Sequence, residues 1–150
     1  MRHRIKGRKL GRKAENRRAL RMNLLKSLFS YGRVTTTVAK AKEYRSAAER
    51  MITLAKVKTL HNVRRAAQLL RNDKTVVRQL FDEIGPRFKD RPGGYTRILR
   101  LAKPRLGDNA PRVIWELVGE SERRAREAEA RKEEAAAAGK KAKEEQSAAK

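Results

Sequence analysis

The 150-residue chain has no cysteine, only two histidines, few aromatic residues and no long apolar run. Without cysteine there are no disulfides, no thiolate metal sites and no thiol nucleophile, which fits a compartment where disulfides contribute nothing to stability. The histidines are His3 and His61, and the chain carries no P-loop, no GxGxxG and no HExxH. One adjacent acidic pair in the body, Asp82-Glu83, points in different directions on a helix, whereas a metal-dependent nuclease needs convergent carboxylates. The expectation is therefore no catalysis, no cofactor, no metal and no small-molecule substrate. No segment approaches the ~20 apolar residues of a membrane helix. The basic start is not followed by the apolar run of a signal peptide, so a cytoplasmic location is expected.

What the chain has in excess is positive charge. Lys+Arg number 40 against 17 Asp+Glu, a formal net charge of +23. That is far more than solubility requires and implies a polyanionic partner. Nucleic acid is favoured over a membrane surface, because the basic segments lack the apolar face that an interfacial helix would bury. The charge is densest at the start, where Arg2, His3, Arg4, Lys6, Arg8, Lys9, Arg12 and Lys13 have no acidic neighbour. Residues 1–14 thus read as a basic arm, too repulsive and too poor in apolar residues to order itself before a polyanion neutralises it. Gly7 and Gly11 would let its backbone approach RNA closely.

Residues 15–118 carry the periodicities of one small domain. A helix is expected from a cap near Asn16 to Tyr31, stopped by Gly32, with Met22, Leu24, Leu25, Leu28 and Phe29 on one arc. Arg17, Arg18 and Arg21 fall on the same arc one or two turns earlier. Burying them unpaired would be prohibitive, so the first turns should overhang the body and continue the arm. Arg33–Thr37 is β-branched and reads as a short strand. A second helix follows from Val38 to about Lys58, with Ala41, Tyr44, Ala48, Met51, Ile52 and Ala55 as its core stripe. Asn62 and Asn72 then mark the caps of two shorter helices, ending at Leu70 and at Ile84, where Gly85-Pro86 is a stop signal. Residues 95–101 and 112–118 read as strands that pair antiparallel, since their connection is too short for a parallel crossover.

The two loops around these strands hold further candidates. Arg87, Lys89, Arg91 and Arg97 surround Gly93-Gly94, a segment with unencumbered backbone N–H groups suited to phosphate or 2′-hydroxyl contact. Phe88 and Tyr95 are open to either core packing or base stacking, while Trp115, lone and mid-strand, reads as core. Lys103 and Arg105 point to RNA, and Gly107-Asp108-Asn109-Ala110-Pro111 reads as turn chemistry. From residue 119 to 150 the composition shifts to Ala, Glu and Lys/Arg with a net charge of only +2 after Gly119-Glu120. Such a tail cannot join a core and is expected to be disordered or transiently helical.

Met1-Arg2-His3-Arg4 with Gly7, Lys9-Leu10 and Arg12, then Ile52-Thr53-Leu54-Ala55-Lys56, Gly85-Pro86-Arg87-Phe88, Gly93-Gly94-Tyr95-Thr96-Arg97-Ile98 and Gly107-Asp108-Asn109-Ala110-Pro111 together resemble the bacterial ribosomal protein family numbered seventeen of the large subunit. The resemblance runs in order from Met1 to Val118; the Ala/Glu-rich tail departs from it. It implies an α+β, two-layer domain of order αβαααββ, with helices packed on a small mixed three-stranded sheet. It also implies a role as a monomer within the ribosome, binding 23S ribosomal RNA near the outer end of the peptide exit tunnel beside neighbouring large-subunit ribosomal proteins. A DNA-binding architectural protein is the rival reading, since the arm would suit a duplex too. Truncation after Gly119 is expected to leave the melting temperature and RNA affinity of the chain nearly unchanged, as read by thermal unfolding and filter binding; a large loss of either would mean that the tail docks.

Overall fold

The computed structural model describes residues 7–120. The chain divides into two units, residues 1–118 and residues 119–150; the first holds all the regular elements discussed below, and the tail from residue 121, expected to be disordered or transiently helical, lies outside the described residues. In chain order these are α1 (Ala14–Tyr31), β1 (Arg33–Thr37), α2 (Val38–Ala55), α3 (Leu60–Leu69), α4 (Lys74–Gln79), β2 (Thr96–Arg100) and β3 (Arg112–Leu117). After α4 the helical path continues through a π-helical stretch, Leu80–Ile84, and a last turn, Gly85–Arg87. The expected class and element order hold. No described helix is long and apolar enough to cross a membrane.

The sheet order is β1-β3-β2, and both pairings are antiparallel. The expected mixed sheet is therefore corrected. β1 and β2 do run the same way, but β3 lies between them and separates the only two strands that could have formed a parallel ladder. Side chains alternate across the pleat, so Val113, Trp115 and Leu117 of β3 are buried together. Trp115 is fully buried and opposes Val34 on one side and Ile98 on the other. Its indole N–H finds no acceptor among the described residues, so the apolar burial of the ring must exceed the cost of that unmade bond.

Helix α2 supplies the facing layer. All six residues of its expected stripe, Ala41, Tyr44, Ala48, Met51, Ile52 and Ala55, are buried. The three alanines keep the helix close to the sheet and to α1, whose Met22, Leu25, Leu28 and Phe29 complete the packing. Each large apolar side chain so buried contributes about 1.5–3 kcal/mol. Gly32 ends α1 in the left-handed region, at φ 71°, as expected.

Helix starts and stops differ in instructive ways. α1 begins at Ala14, two residues before the expected cap at Asn16. Thr59, not Asn62, caps α3 by accepting the Asn62 N–H, while the Asn62 side chain donates to the carbonyls of Leu54 (3.3 Å) and Val57 (2.8 Å). Asp73, not Asn72, caps α4 by accepting from the Val76 N–H; Lys26 of α1 pairs with it at 2.9 Å. These bonds hold the Asp73 carboxyl down to about 2.

Gly85-Pro86 does not stop the helix. Gly85 keeps right-handed helical angles, and its N–H bonds the Leu80 carbonyl five residues back. That wider turn accommodates Pro86, whose ring would collide with the carbonyl four residues earlier in an ordinary α-helix. The glycine is there for packing, because a Cβ at this position would lie 2.5 Å from the Ala55 carbonyl oxygen at the end of α2. Glycine-to-alanine changes inside helices ordinarily gain up to about 1 kcal/mol. Gly85→Ala is expected to do the opposite, destabilising by about 1–3 kcal/mol in denaturant titration, and an unchanged midpoint would contradict the close approach.

Candidate nucleic-acid interface

The arm enters the described region at Gly7 and is ordered there, contrary to the expectation for residues 7–13. Lys9 to Arg12 form a tight turn in which the Arg12 N–H donates to the Lys9 carbonyl at 3.1 Å. Leu10 and Gly11 both adopt positive φ, 54° and 61°, a pairing that only special turns require. The strain at Leu10 is compensated by packing, since its side chain lies against the core. Upstream, the Arg8 N–H donates to Glu43 Oε2 of α2 at 3.0 Å. Gly7, at φ 100°, lies so near the same carboxylate that a Cβ would sit 3.0 Å from its other oxygen.

This anchoring joins arm and helix. The Arg17 guanidinium donates to the Arg12 carbonyl at 3.0 Å, and the Tyr44 hydroxyl donates to the Arg17 carbonyl at 3.3 Å. Burial raises the Tyr44 hydroxyl above its usual value, with Glu43 adding to the rise, while Arg21, Arg17 and Arg12 all lie near enough to oppose it. Three guanidinium groups, from the turn and from α1, thus lie near enough to one tyrosine to act on its charge. Arg8, Lys9, Arg12, Lys13 and Arg18 are exposed, and Arg17 and Arg21 are half-buried. The overhang of α1 is shorter than expected, for α2 already meets it at Arg17. Arg2, His3, Arg4 and Lys6 lie outside the described residues.

The loop after the last helical turn is a second basic region, partly occupied by the protein's own contacts. Arg87 donates to the Val118 carbonyl at 2.5 Å and lies 5.2 Å from the centre of the Phe88 ring. Arg91 donates to the Gly93 carbonyl at 3.1 Å, and Lys89 is exposed. Phe88 and Tyr95 are both buried, with ring centres 5.4 Å apart. The structure thus settles these two rings as core. Lys56, which the sequence did not single out, donates to the Arg91 carbonyl and lies 4.8 Å over the Tyr95 ring. The Lys56 ammonium beside the Tyr95 hydroxyl is the main cause that lowers it below its usual value, and the Thr53 hydroxyl adds to the effect.

Two other candidates are held in ion pairs. Arg105 bonds both carboxylate oxygens of Asp108, with Nε–Oδ1 at 2.8 Å, and the pair pulls the Asp108 carboxyl down to about 2. Asp108 also accepts the Ala110 N–H, which is the turn chemistry expected there. Lys103 is exposed, and its carbonyl accepts from Arg112. Arg97 pairs with Glu116 at 2.5 Å; the glutamate is buried on β3 and lies opposite Arg97 of β2 and Arg33 of β1. The pairing explains how a central strand tolerates a carboxylate. Arg97→Leu strands that charge and is expected to destabilise by about 3 kcal/mol in chemical unfolding. The double change Arg97→Leu with Glu116→Leu should recover most of the loss; if it does not, the pair is not what holds the position.

Among the described residues no group of three or more His, Asp or Glu is placed to hold a metal ion. What the surface offers is an array of cations on a rigid frame. The family model described as Ribosomal protein L17 matches residues 20–118. A large ribosomal subunit protein bL17 from Thermoanaerobacter pseudethanolicus is 58% identical over 111 residues, covering 74% of this chain and 97% of the relative. Those from Desulfovibrio desulfuricans and Thermus thermophilus are each 52% identical, covering 85% and 79% of this chain and 75% and 99% of theirs. With matches that span α1 to β3 and identities at this level, the chain belongs to the ribosomal protein L17 family.

Proposed function

We propose that this structural, non-enzymatic member of the large ribosomal subunit's protein set binds and stabilises folded 23S ribosomal RNA, near the outer end of the peptide exit tunnel and beside neighbouring large-subunit proteins. The location follows the family resemblance of the sequence. The RNA contact is supported above all by one observation, the docking of the Lys9–Arg12 turn against α1 and α2, which gathers Arg12, Arg17 and Arg21 and leaves Arg8, Lys9, Lys13 and Arg18 exposed beside them.

Arginine bridges two phosphate oxygens with its planar fork, and lysine adds a mobile point charge. A mixture of both can follow a backbone of irregular curvature. Holding part of the arm in place before binding lowers the ordering cost that a wholly flexible arm would incur. Lys89, Arg91 and Lys103 extend the contact from the loops, and Arg2, His3, Arg4 and Lys6 extend it along the chain before Gly7. Arg87, Arg97 and Arg105 serve the fold first.

Changing Arg8, Lys9, Lys13 and Arg18 together to glutamine is expected to leave thermal unfolding almost unchanged. It should weaken binding to a 23S RNA fragment and make the slope of log affinity against log salt shallower by roughly 3, at about 0.7 per lost contact. An unchanged slope would remove these residues from the interface. Tighter binding of the unaltered chain to duplex DNA than to the RNA fragment at matched salt would favour the architectural-protein reading instead.

A further inference from the structure

Between them α1, α2 and α3 line a groove of about 580 Å³, within the roughly 300–1,000 Å³ of small-ligand sites. Its floor includes Leu25, Met51 and Leu54, and its rim carries Arg21, Arg50 and Arg65 with no acidic residue in the lining. Val57 and Leu69 at its edge are 60% and 40% exposed. An apolar floor ringed by three guanidinium groups suits a flat, weakly polar body attached to anions. We propose that this groove receives one unstacked RNA base, its flanking phosphates held by Arg50 and Arg65; the proposal rests on the RNA-binding reading above.

Both ends of the groove continue onto surface that fits a nucleic-acid backbone. Arg65 and Gln68 also line a shallower recess with His61 and Arg64 on α3. Arg50 and Thr53 also line a recess bounded by Gly93 and Gly94, whose one carboxylate, Glu49, is already paired with Arg45 at 3.0 Å and accepts from the Thr96 hydroxyl. Gly93 has no need to be glycine for the sake of the fold. Its φ lies outside the left-handed region, and a Cβ there would meet nothing within 4 Å. A glycine that the protein's own packing does not require leaves room for another backbone to come close. The track therefore runs from the Gly93 loop over Arg50, into the groove and out along α3. The groove has no aromatic side chain, so the base would rest on aliphatic groups and on a guanidinium plane, which stacks on bases as aromatics do.

The chain has three methionines, of which Met51 lines the groove and buried Met22 does not. Methyl NMR of the full-length protein labelled at methionine reads the site directly. Adding single-stranded hexauridylate should shift the Met51 methyl saturably, with Met22 unmoved, while inorganic polyphosphate of equal charge should not shift Met51. Arg50→Gln with Arg65→Gln should weaken hexauridylate binding, followed by anisotropy, roughly tenfold and flatten its salt slope by about 1.4. Ala47→Phe, which fills the groove and leaves every charge in place, should silence Met51 while RNA still binds through the arm. Bound RNA with a silent Met51 in the unaltered chain overturns the groove and spares the RNA reading; no binding at all overturns both. An equal Met51 response to polyphosphate, or a response to an acidic amphipathic peptide but not to hexauridylate, also overturns the proposal.

Discussion

Strand β3 is the one element bonded on both sides, and the body depends on its position between β1 and β2. It buries Trp115 against the alanine-rich face of α2. It also carries Glu116, whose carboxylate is tolerable only because Arg97 stands opposite on the neighbouring strand. Both the apolar layer and the sheet's one buried charge are thus fixed by a single six-residue strand. Without it, β1 and β2 have no shared partner.

Onto this small core the chain places its charge by an economy of anchors. Leu10 is one aliphatic residue in a basic run, yet it ties the arm to the body. Glu43 assists by accepting a backbone N–H, which leaves the Arg8 side chain exposed. Other cations are consumed internally. Arg97 neutralises Glu116, Arg105 braces the β2–β3 loop through Asp108, and Arg87 closes onto the Val118 carbonyl. A high arginine count therefore overstates the charge available to a partner.

The sequence made legible whatever depends on local period. The stripe of α2 was fully readable because six residues at helical spacing face one way regardless of what they meet. The helix starts at Thr59 and Asp73 differ from the expected caps by local choices among neighbouring polar residues, whereas the larger misreadings are set by contacts distant in sequence. Gly85-Pro86 carries every local mark of a helix end, but the carbonyl of Ala55, thirty positions earlier, decides the matter. Which strand occupies the middle of the sheet is likewise a tertiary fact, and the mixed sheet that the resemblance implied does not form because β3 lies between β1 and β2. In the candidate interface, Arg12, Arg17, Arg18 and Arg21 were readable as charge on a shared surface. Arg50 and Arg65 were not, because on isolated helices they resemble any solvated arginine, and only the crossing of three helices brings them around one groove.

The place of β3 also bears on how the chain is made. Synthesis runs from the N-terminus at about 5–20 residues per second, so the roughly 75 residues between β1 and β3 take about 4–15 seconds to appear. For that interval β1 exists without the strand that pairs with it. Its sequence, Arg33-Val34-Thr35-Thr36-Thr37, is suited to the wait: a cation at one end and three hydroxyl side chains make a poor template for pairing with another chain. The arm and α1 emerge earlier still, so the cations of the candidate interface are exposed to solution before the frame that positions them has closed.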